Sequence, residues 1–425
     1  MTADRPLGRR FGILLVSSAS SNLADGVVKV ALPLMAVRWT DSPILVSGVL
    51  VALTIPWLLF ALPVGVLVDS VDRRFAMLAA NGLRVAVLLA FSAVVVLDVG
   101  SIWSLYVAAF MLGAAETIYD TAAQSLLPSV VGRESLERAN GRLSAAEITS
   151  NLFAGPPLGG LLVATAVVLG VAGPAGLWGV AFLVLLFLRG NFKSGKGESL
   201  DWRTELISGA RFVLKNRLLR AMAAMVAVCN VATGAFLGTF VVFAVGSDSA
   251  MRASDAQYGL LLAAAGVGSL LGSLAAGWAG LKLGRGRLLA LTLICMAVFI
   301  GVPSLTTQYI GVLLAFFVGG AAVAAWNVVT VSFRQRVTPD ELLGRVNSLY
   351  RLLTWGTVPL GSLLGGVLGE FAGMQIMFAM MTVVVLLPLI GIRVVNERGL
   401  REAEEQPIAK GDCMGDASRE ADAAS

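Results

Sequence analysis

The sequence predicts an all-α, polytopic membrane protein of twelve transmembrane helices, arranged as two six-helix halves that repeat one another. Three observations carry this. Of 425 residues, 57% are hydrophobic and 14% charged, whereas a soluble domain is about a quarter charged, so the apolar surplus has no aqueous core to fill. The apolar residues also fall into runs near the length of about 20 that a spanning helix needs. Finally, the segments after the fourth and tenth runs match at a constant offset: Glu134, Leu136, Arg138 and Asn140 with Glu341, Leu343, Arg345 and Asn347.

The runs lie at approximately 11–38, 43–68, 75–97, 102–127, 141–168 and 172–189, then 218–245, 256–281, 286–305, 309–333, 346–369 and 372–394. The first follows "MTADRPLGRR" and outlasts the 7–15 apolar residues of a secretory signal, so it reads as a spanning helix. The domain plan is therefore an N-terminus at 1–10, a first half at 11–189, a linker at 190–217, a second half at 218–394 and a polar, disordered tail at 395–425. The linker carries "GKG" at 195–197, then Leu206, Ala210, Val213 and Leu214 at helical spacing, an amphipathic helix suited to the inner leaflet.

The cations set the expected orientation. Arg5, Arg9 and Arg10 precede the first run, Arg73 and Arg74 follow the second, and the linker and the connections after the fourth, eighth and tenth runs are also basic, whereas the alternate connections hold only Arg38 and Arg252. By the positive-inside rule both termini are cytoplasmic. The net charge of +5 is thus a topology signal and not a nucleic-acid footprint. Cysteine spacing gives no disulfide framework or metal set, and there is no nucleophile–base pair or phosphate-binding loop, so an enzyme is not expected. The chain has no histidine, so proton chemistry near neutral pH would fall to carboxylates.

Ionisable residues inside spans are costly and mark pathways. Here they are Asp25, Lys29, Arg84, Glu116, Asp120 and Glu147, all in the first half. Asp25 and Lys29 share a helix face, as do Glu116 and Asp120. Asp25 and Glu116 lie near mid-depth, and Arg84, Asp120 and Glu147 nearer the cytoplasmic third. At the matching offset the second half has Val323, Asn327 and Thr354. The expected division of labour gives proton handling to Glu116, Asp120, Asp25 and Glu147. Asp25, Tyr119, Trp326, Asn327 and Trp355 are the candidate substrate contacts, the aromatics as stacking faces for a planar or cationic molecule. Asp25 with Lys29 as a self-neutralising pair, and Arg84 with Glu147 as a structural network, are the alternative readings.

Three motifs then carry a resemblance. "GVLVDSVDRR" at Gly65–Arg74 has a weaker copy, "GWAGLKLGRGR", at Gly277–Arg287; "GPPLGG" spans Gly155–Gly160; and "ERANGRLSAAE" spans Glu137–Glu147. Together they make residues 11–394 resemble the major facilitator superfamily, in particular its bacterial drug–proton antiporters of the macrolide- and siderophore-exporter kind. The resemblance implies that Asp69 docks on a neighbouring helix end while Arg73 and Arg74 hold the cytoplasmic side shut. It also implies that Gly155, Pro156, Pro157, Gly159 and Gly160 kink helix 5; ordinary close packing is the plainer reading of those glycines. The helix-4 arginine of many such antiporters is absent, and Glu116 and Asp120 stand on that helix instead.

The function expected is export of amphipathic small molecules (drug, antibiotic or siderophore class) by alternating access in exchange for protons, from the bacterial inner membrane. The alternative is an importer or facilitator of a small metabolite. No cofactor or metal beyond the coupling proton is expected, nor any nucleic-acid partner. A monomer in contact with lipid and a small-molecule substrate is the expected form.

Overall fold

The computed structural model describes residues 7–190, 192–193, 210–246, 249–393 and 395. The N-terminus before Leu7, the linker's "GKG" and Leu206, and the tail from Asn396 lie outside the described residues. Residues 210–215 of the linker are helical, with Val213 buried.

The first half runs α1 (Gly8–Ala36), α2 (Pro43–Ser70), α3 (Arg73–Val96) and α4 (Ile102–Val130). It continues through α5 (Leu136–Glu147), a π-helical stretch (Ile148–Ala154), α6 (Gly155–Thr165) and α7 (Val167–Leu186). The second half runs α8 (Arg217–Val245), α9 (Asp255–Leu283), α10 (Arg285–Leu305) and α11 (Tyr309–Val337). It ends with α12 (Asp340–Ala372) and α13 (Met374–Leu386), the last prolonged by the 3-10 turn Leu387–Arg393. Among the described residues, eleven helices are long and apolar enough to cross a bilayer. The twelfth crossing is the broken rod α5–π–α6, so twelve crossings in two sets of six are present, as the sequence predicts.

The break in that rod follows from its sequence. Pro156 and Pro157 have no N–H to return to Leu152 and Phe153, the carbonyls one turn back. The wider π winding over Ile148–Ala154 absorbs the gap, as π-bulges do within α-helices. Elsewhere short polar residues start the rods. Ser42 and Asp72 cap α2 and α3, and Ser101 and Ser254 form capping boxes on α4 and α9. Gly284 and Gly373 turn the chain at φ of 83° and 86°, a region that favours glycine.

One end of the bundle, here the near end, carries the start of α1 and the connections after α2, α4 and α11. The other, the far end, carries residues 37–42, 249–254 and 306–308. The halves meet chiefly through α2 against α12 and α6 against α9. The hydrogen bonds that join them gather at the far end. Arg38 pairs with Asp255 at 2.7 Å, Ser42 donates to Glu370 at 2.6 Å, and Ser362 donates to the Ser47 carbonyl at 2.9 Å. "GPPLGG" supplies the close approach that this seal needs. A methyl group on Gly160 would stand 2.5 Å from the Asp255 carbonyl, and one on Gly155 2.6 Å from the Cα of Gly26. The motif therefore packs helix 5 on α1 and on the opposite half at once, and the π-helical stretch lies just before it.

Candidate functional site

Between the halves is a cavity of about 400 Å³. Its second-half wall is apolar and aromatic, with Tyr258, Phe299, Phe316 and Trp355 among its residues. Its first-half wall is also apolar except along one edge, where Lys29 of α1, Glu116 of α4 and Asn151 of the π-helical stretch face inward. Glu116 lies midway along α4, which places this edge at mid-depth.

The charges are arranged differently from the i,i+4 pairing read in the sequence. Asp25 does not pair with Lys29. Its carboxylate lies 3.5 Å from the guanidinium of Arg84, whose side chain is 0% exposed. Arg84 also donates to the Ser21 hydroxyl at 3.0 Å and lies 5.2 Å from the Tyr119 ring and 5.0 Å from the Trp178 ring. A charge taken out of water needs compensation of this kind, and the two ring faces add to it. Asp25 is thus withdrawn from the large cavity. The Lys29 ammonium instead donates to Asn151 Oδ1 at 2.9 Å, and Asn151 Nδ2 donates to Asn22 at 3.3 Å. Among the described residues no carboxylate approaches Lys29 within ion-pair distance. Asp25, Lys29 and Glu116 do border one small void of about 10 Å³, near the lower limit for a single water.

A second, polar cavity of about 440 Å³ lies within the first half toward the near end, lined by Asn22, Tyr119, Asp120, Asn140, Ser144 and Glu147 among others. Asp120 and Glu147 therefore share a vestibule distinct from the one that Glu116 faces. Asn22 borders this vestibule and Asn151 the large cavity, so their amide contact lies in the partition. Sequence reasoning missed these two asparagines. Their only signal was an uncharged amide in an apolar run.

The aromatic candidates separate. Trp355 lines the cavity and stacks on Trp57 across the half interface at 4.8 Å and 8°, and Arg351 lies 4.7 Å from the Trp57 ring. Tyr119 is buried beneath Arg84 and borders the polar vestibule. Trp326 is 3% exposed and packed in the second-half core, and Asn327 is exposed on α11. Neither is among the residues lining the large cavity.

The loop motif is tied to its own half. Asp72 caps α3 through the Phe75 N–H at 3.1 Å and accepts from the Phe192 N–H at 2.9 Å. Arg74 donates to the carbonyls of Leu185 and Leu186 at 3.2 and 2.9 Å, satisfying the end of α7. Arg73 reaches Ser129 at 3.5 Å. Asp69 does not dock on a neighbouring helix end. It is 68% exposed and lies 3.9 Å from Arg73, one turn on. In this conformation the docking carboxylate is Asp72.

Comparison with known proteins agrees with this architecture. Residues 5–417 match the family model described as transmembrane secretion effector. The multidrug efflux pump Tap of Mycolicibacterium fortuitum is 26% identical over 92% of this chain and 96% of its own. The enterobactin exporter EntS of an Escherichia coli O6:K15:H31 strain is 26% identical over 94% and 95%. Among solved structures, the nucleoside transporter NupG superposes with a TM-score of 0.71 at 11% identity, covering 91% of this chain and 99% of its own. An inward-facing bacterial homologue of the iron transporter ferroportin gives 0.69 at 16% identity, covering 94% and 99%. At these identities the structural likenesses speak for the fold alone. With the family model spanning nearly the whole chain, this multi-pass membrane protein belongs to the transmembrane secretion effector family of the major facilitator superfamily, a family of transporters and not of enzymes.

Proposed function

We propose that the protein is a secondary active exporter of amphipathic small molecules that works by alternating access in exchange for protons, in a bacterial inner membrane with both termini cytoplasmic. The observation that carries this is the cavity between the halves. It is apolar over most of its wall, charged along one edge, and closed at the far end by Arg38–Asp255, Ser42–Glu370 and the α6–α9 glycine contact. With the termini inside, the far end is the external face and the conformation is inward-facing, ready to load from the cytoplasm or inner leaflet. That the similar proteins Tap and EntS are an efflux pump and an exporter supports the direction.

In this reading Glu116 carries the exchanged proton at the cavity edge, and Asp120 and Glu147 form a water-side approach through the polar vestibule. Asp25 acts on the cycle through Arg84 and not by touching substrate. Its protonation would loosen the one ionic contact between α1 and α3, biasing the first half between two packings. The Trp57–Trp355 stack and the far-end pairs would exchange as the halves rock.

The test is uptake by everted vesicles of a panel of drugs and catechol-type chelators, with and without an imposed pH gradient. Gradient-dependent accumulation of one class supports the reading. Uptake by right-side-out vesicles driven by the same gradient, with none in everted ones, would replace export with import.

A further inference from the structure

We infer that the substrate is a bipolar amphiphile, an aromatic or apolar body that carries both an acidic and a basic group, with Lys29 holding the acid and Glu116 the base. This rests on the export reading above and narrows its substrate class.

Asp25 and Arg84 face one another at 3.5 Å and do not line the large cavity, so their charges offset and neither is presented to a ligand there. Lys29 and Glu116 remain, both lining the cavity, with no ion pair between them. Lys29 is exposed although α1 is packed within the bundle, so its ammonium opens on the cavity. An ammonium has three donors, and the one contact that the structure gives it is the neutral oxygen of Asn151. An isolated ammonium at membrane depth is expensive, and a carboxylate, phenolate or catecholate of the substrate is a stronger partner than an amide. Glu116 has no cation within ion-pair distance among the described residues and faces the same space. Opposite them, Tyr258, Phe299, Phe316 and Trp355 line the wall with aromatic rings and no charged group. The cavity falls within the size range of drug-sized sites.

The pairing also gives the exchange its sign. A proton arriving at Glu116 removes the charge that holds the basic group, so proton and substrate compete, as antiport requires. A purely acidic substrate would be held more firmly when Glu116 is protonated, which would favour co-transport. The second charge on the substrate is therefore part of the inference.

The experiment measures equilibrium binding to the full chain in lipid nanodiscs, corrected against empty discs, with four pyrene probes: pyrenylalanine (zwitterion), pyrenebutyrate (acid), pyrenebutylamine (base) and pyrenebutanol (neutral). The wild type should bind pyrenylalanine at least about tenfold more tightly than pyrenebutanol, as one or two charge-assisted contacts allow. Lys29→Gln should weaken pyrenylalanine and pyrenebutyrate by about tenfold and leave the other two unchanged, while Lys29→Arg retains the wild-type order. Glu116→Gln should do the same to pyrenylalanine and pyrenebutylamine. Asn151→Asp, which sets a carboxylate against Lys29, should abolish the advantage of the acid. The inference is overturned if pyrenylalanine binds no better than pyrenebutanol, if no probe binds, or if Lys29→Gln and Glu116→Gln weaken all four probes alike. Probe selectivity with no uphill transport in everted vesicles would overturn the export reading alone; export without selectivity would overturn this inference alone.

Discussion

The two halves share a helix plan and differ in what fills them. In the second half Phe236, Phe240, Phe299, Phe316 and Phe378 form a continuous ring cluster, with centroids 4.7 to 6.2 Å apart. In the first half the buried set includes Arg84, Asn81, Ser17 and Ser21, with Asp25 at its edge. Ring clusters pack without directional demands beyond shape. A buried ion pair has two arrangements, joined and parted, and a proton can choose between them. Among the described residues the repeat thus supplies the scaffold twice and a buried ion pair once.

The sharpest way to break this comparison is to take the switch out without leaving a lone charge. Asp25→Leu alone should destabilise the protein by about 3–5 kcal/mol, because Arg84 is left buried and unpaired. Asp25→Leu with Arg84→Met should recover most of that loss, since apolar replacements of buried pairs are often neutral or better. Thermal unfolding in nanodiscs reads the stability and everted vesicles read the transport. Transport should be lost in both variants. A double variant that transports like the wild type would make the pair a packing element, equivalent in kind to the phenylalanine cluster.

The next effect concerns coupling and not stability. Glu116→Gln keeps the side chain's shape and removes its proton exchange, so melting should stay near wild type while accumulation against a gradient disappears. Downhill exchange should survive. Uphill transport with an unchanged pH profile would move the proton site to Asp120, in the polar vestibule.

A smaller effect is expected in the second half. Phe240→Leu should cost below about 1.5 kcal/mol, as near-volume-conserving core changes do, and leave the pH dependence of transport unaltered. An altered pH dependence would show that the ring cluster takes part in the proton cycle.

Most of the scaffold was legible in the sequence because membrane helices announce themselves by length and polarity. The matched segments after the fourth and tenth runs lie at the start of α5 and α12, and the helices before them, α4 and α11, are both 29 residues long. The winding of helix 5 was legible only in part. Pro156 and Pro157 show that hydrogen bonds must be lost, but whether a kink or a π turn absorbs them depends on the neighbours, here Gly26 and Gly266 pressed against Asn151 and Leu152. The partner of Asp25 was not legible. Spacing along α1 offers Lys29, but tertiary packing brings the longer guanidinium of Arg84 across from α3, and the rings of Tyr119 and Trp178 hold it there. The place of Trp326 was hidden for a similar reason. Lying next to Asn327 in sequence places a residue some 100° around the helix from it, and that turn leads into the core.

The smallest effect, and the last test of the asymmetry, is at the loop that exists twice. Asp69 at the end of α2 and Leu281 at the end of α9 occupy comparable places in the two copies, and both are open to solvent, Leu281 at 90%. In this conformation Asp69 makes one long contact, 3.9 Å to Arg73, and exposed pairs of that kind contribute about 0–1 kcal/mol. Asp69→Asn should therefore leave the melting temperature of this state almost unchanged. Its effect belongs to the other state. If the near end closes by bringing the α2–α3 loop onto the opposite half, an exposed carboxylate held only by the long Arg73 contact is available to meet a helix end there, and the asparagine would weaken the new contact only. Turnover should fall severalfold while probe binding holds. Leu281→Asp, which gives the second copy the same group, should not restore it if, as proposed, the switching chemistry that Asp69 serves lies in the first half. Wild-type turnover in Asp69→Asn across a range of pH would reduce the loop to a topological anchor whose fixed contacts are Asp72 and Arg74.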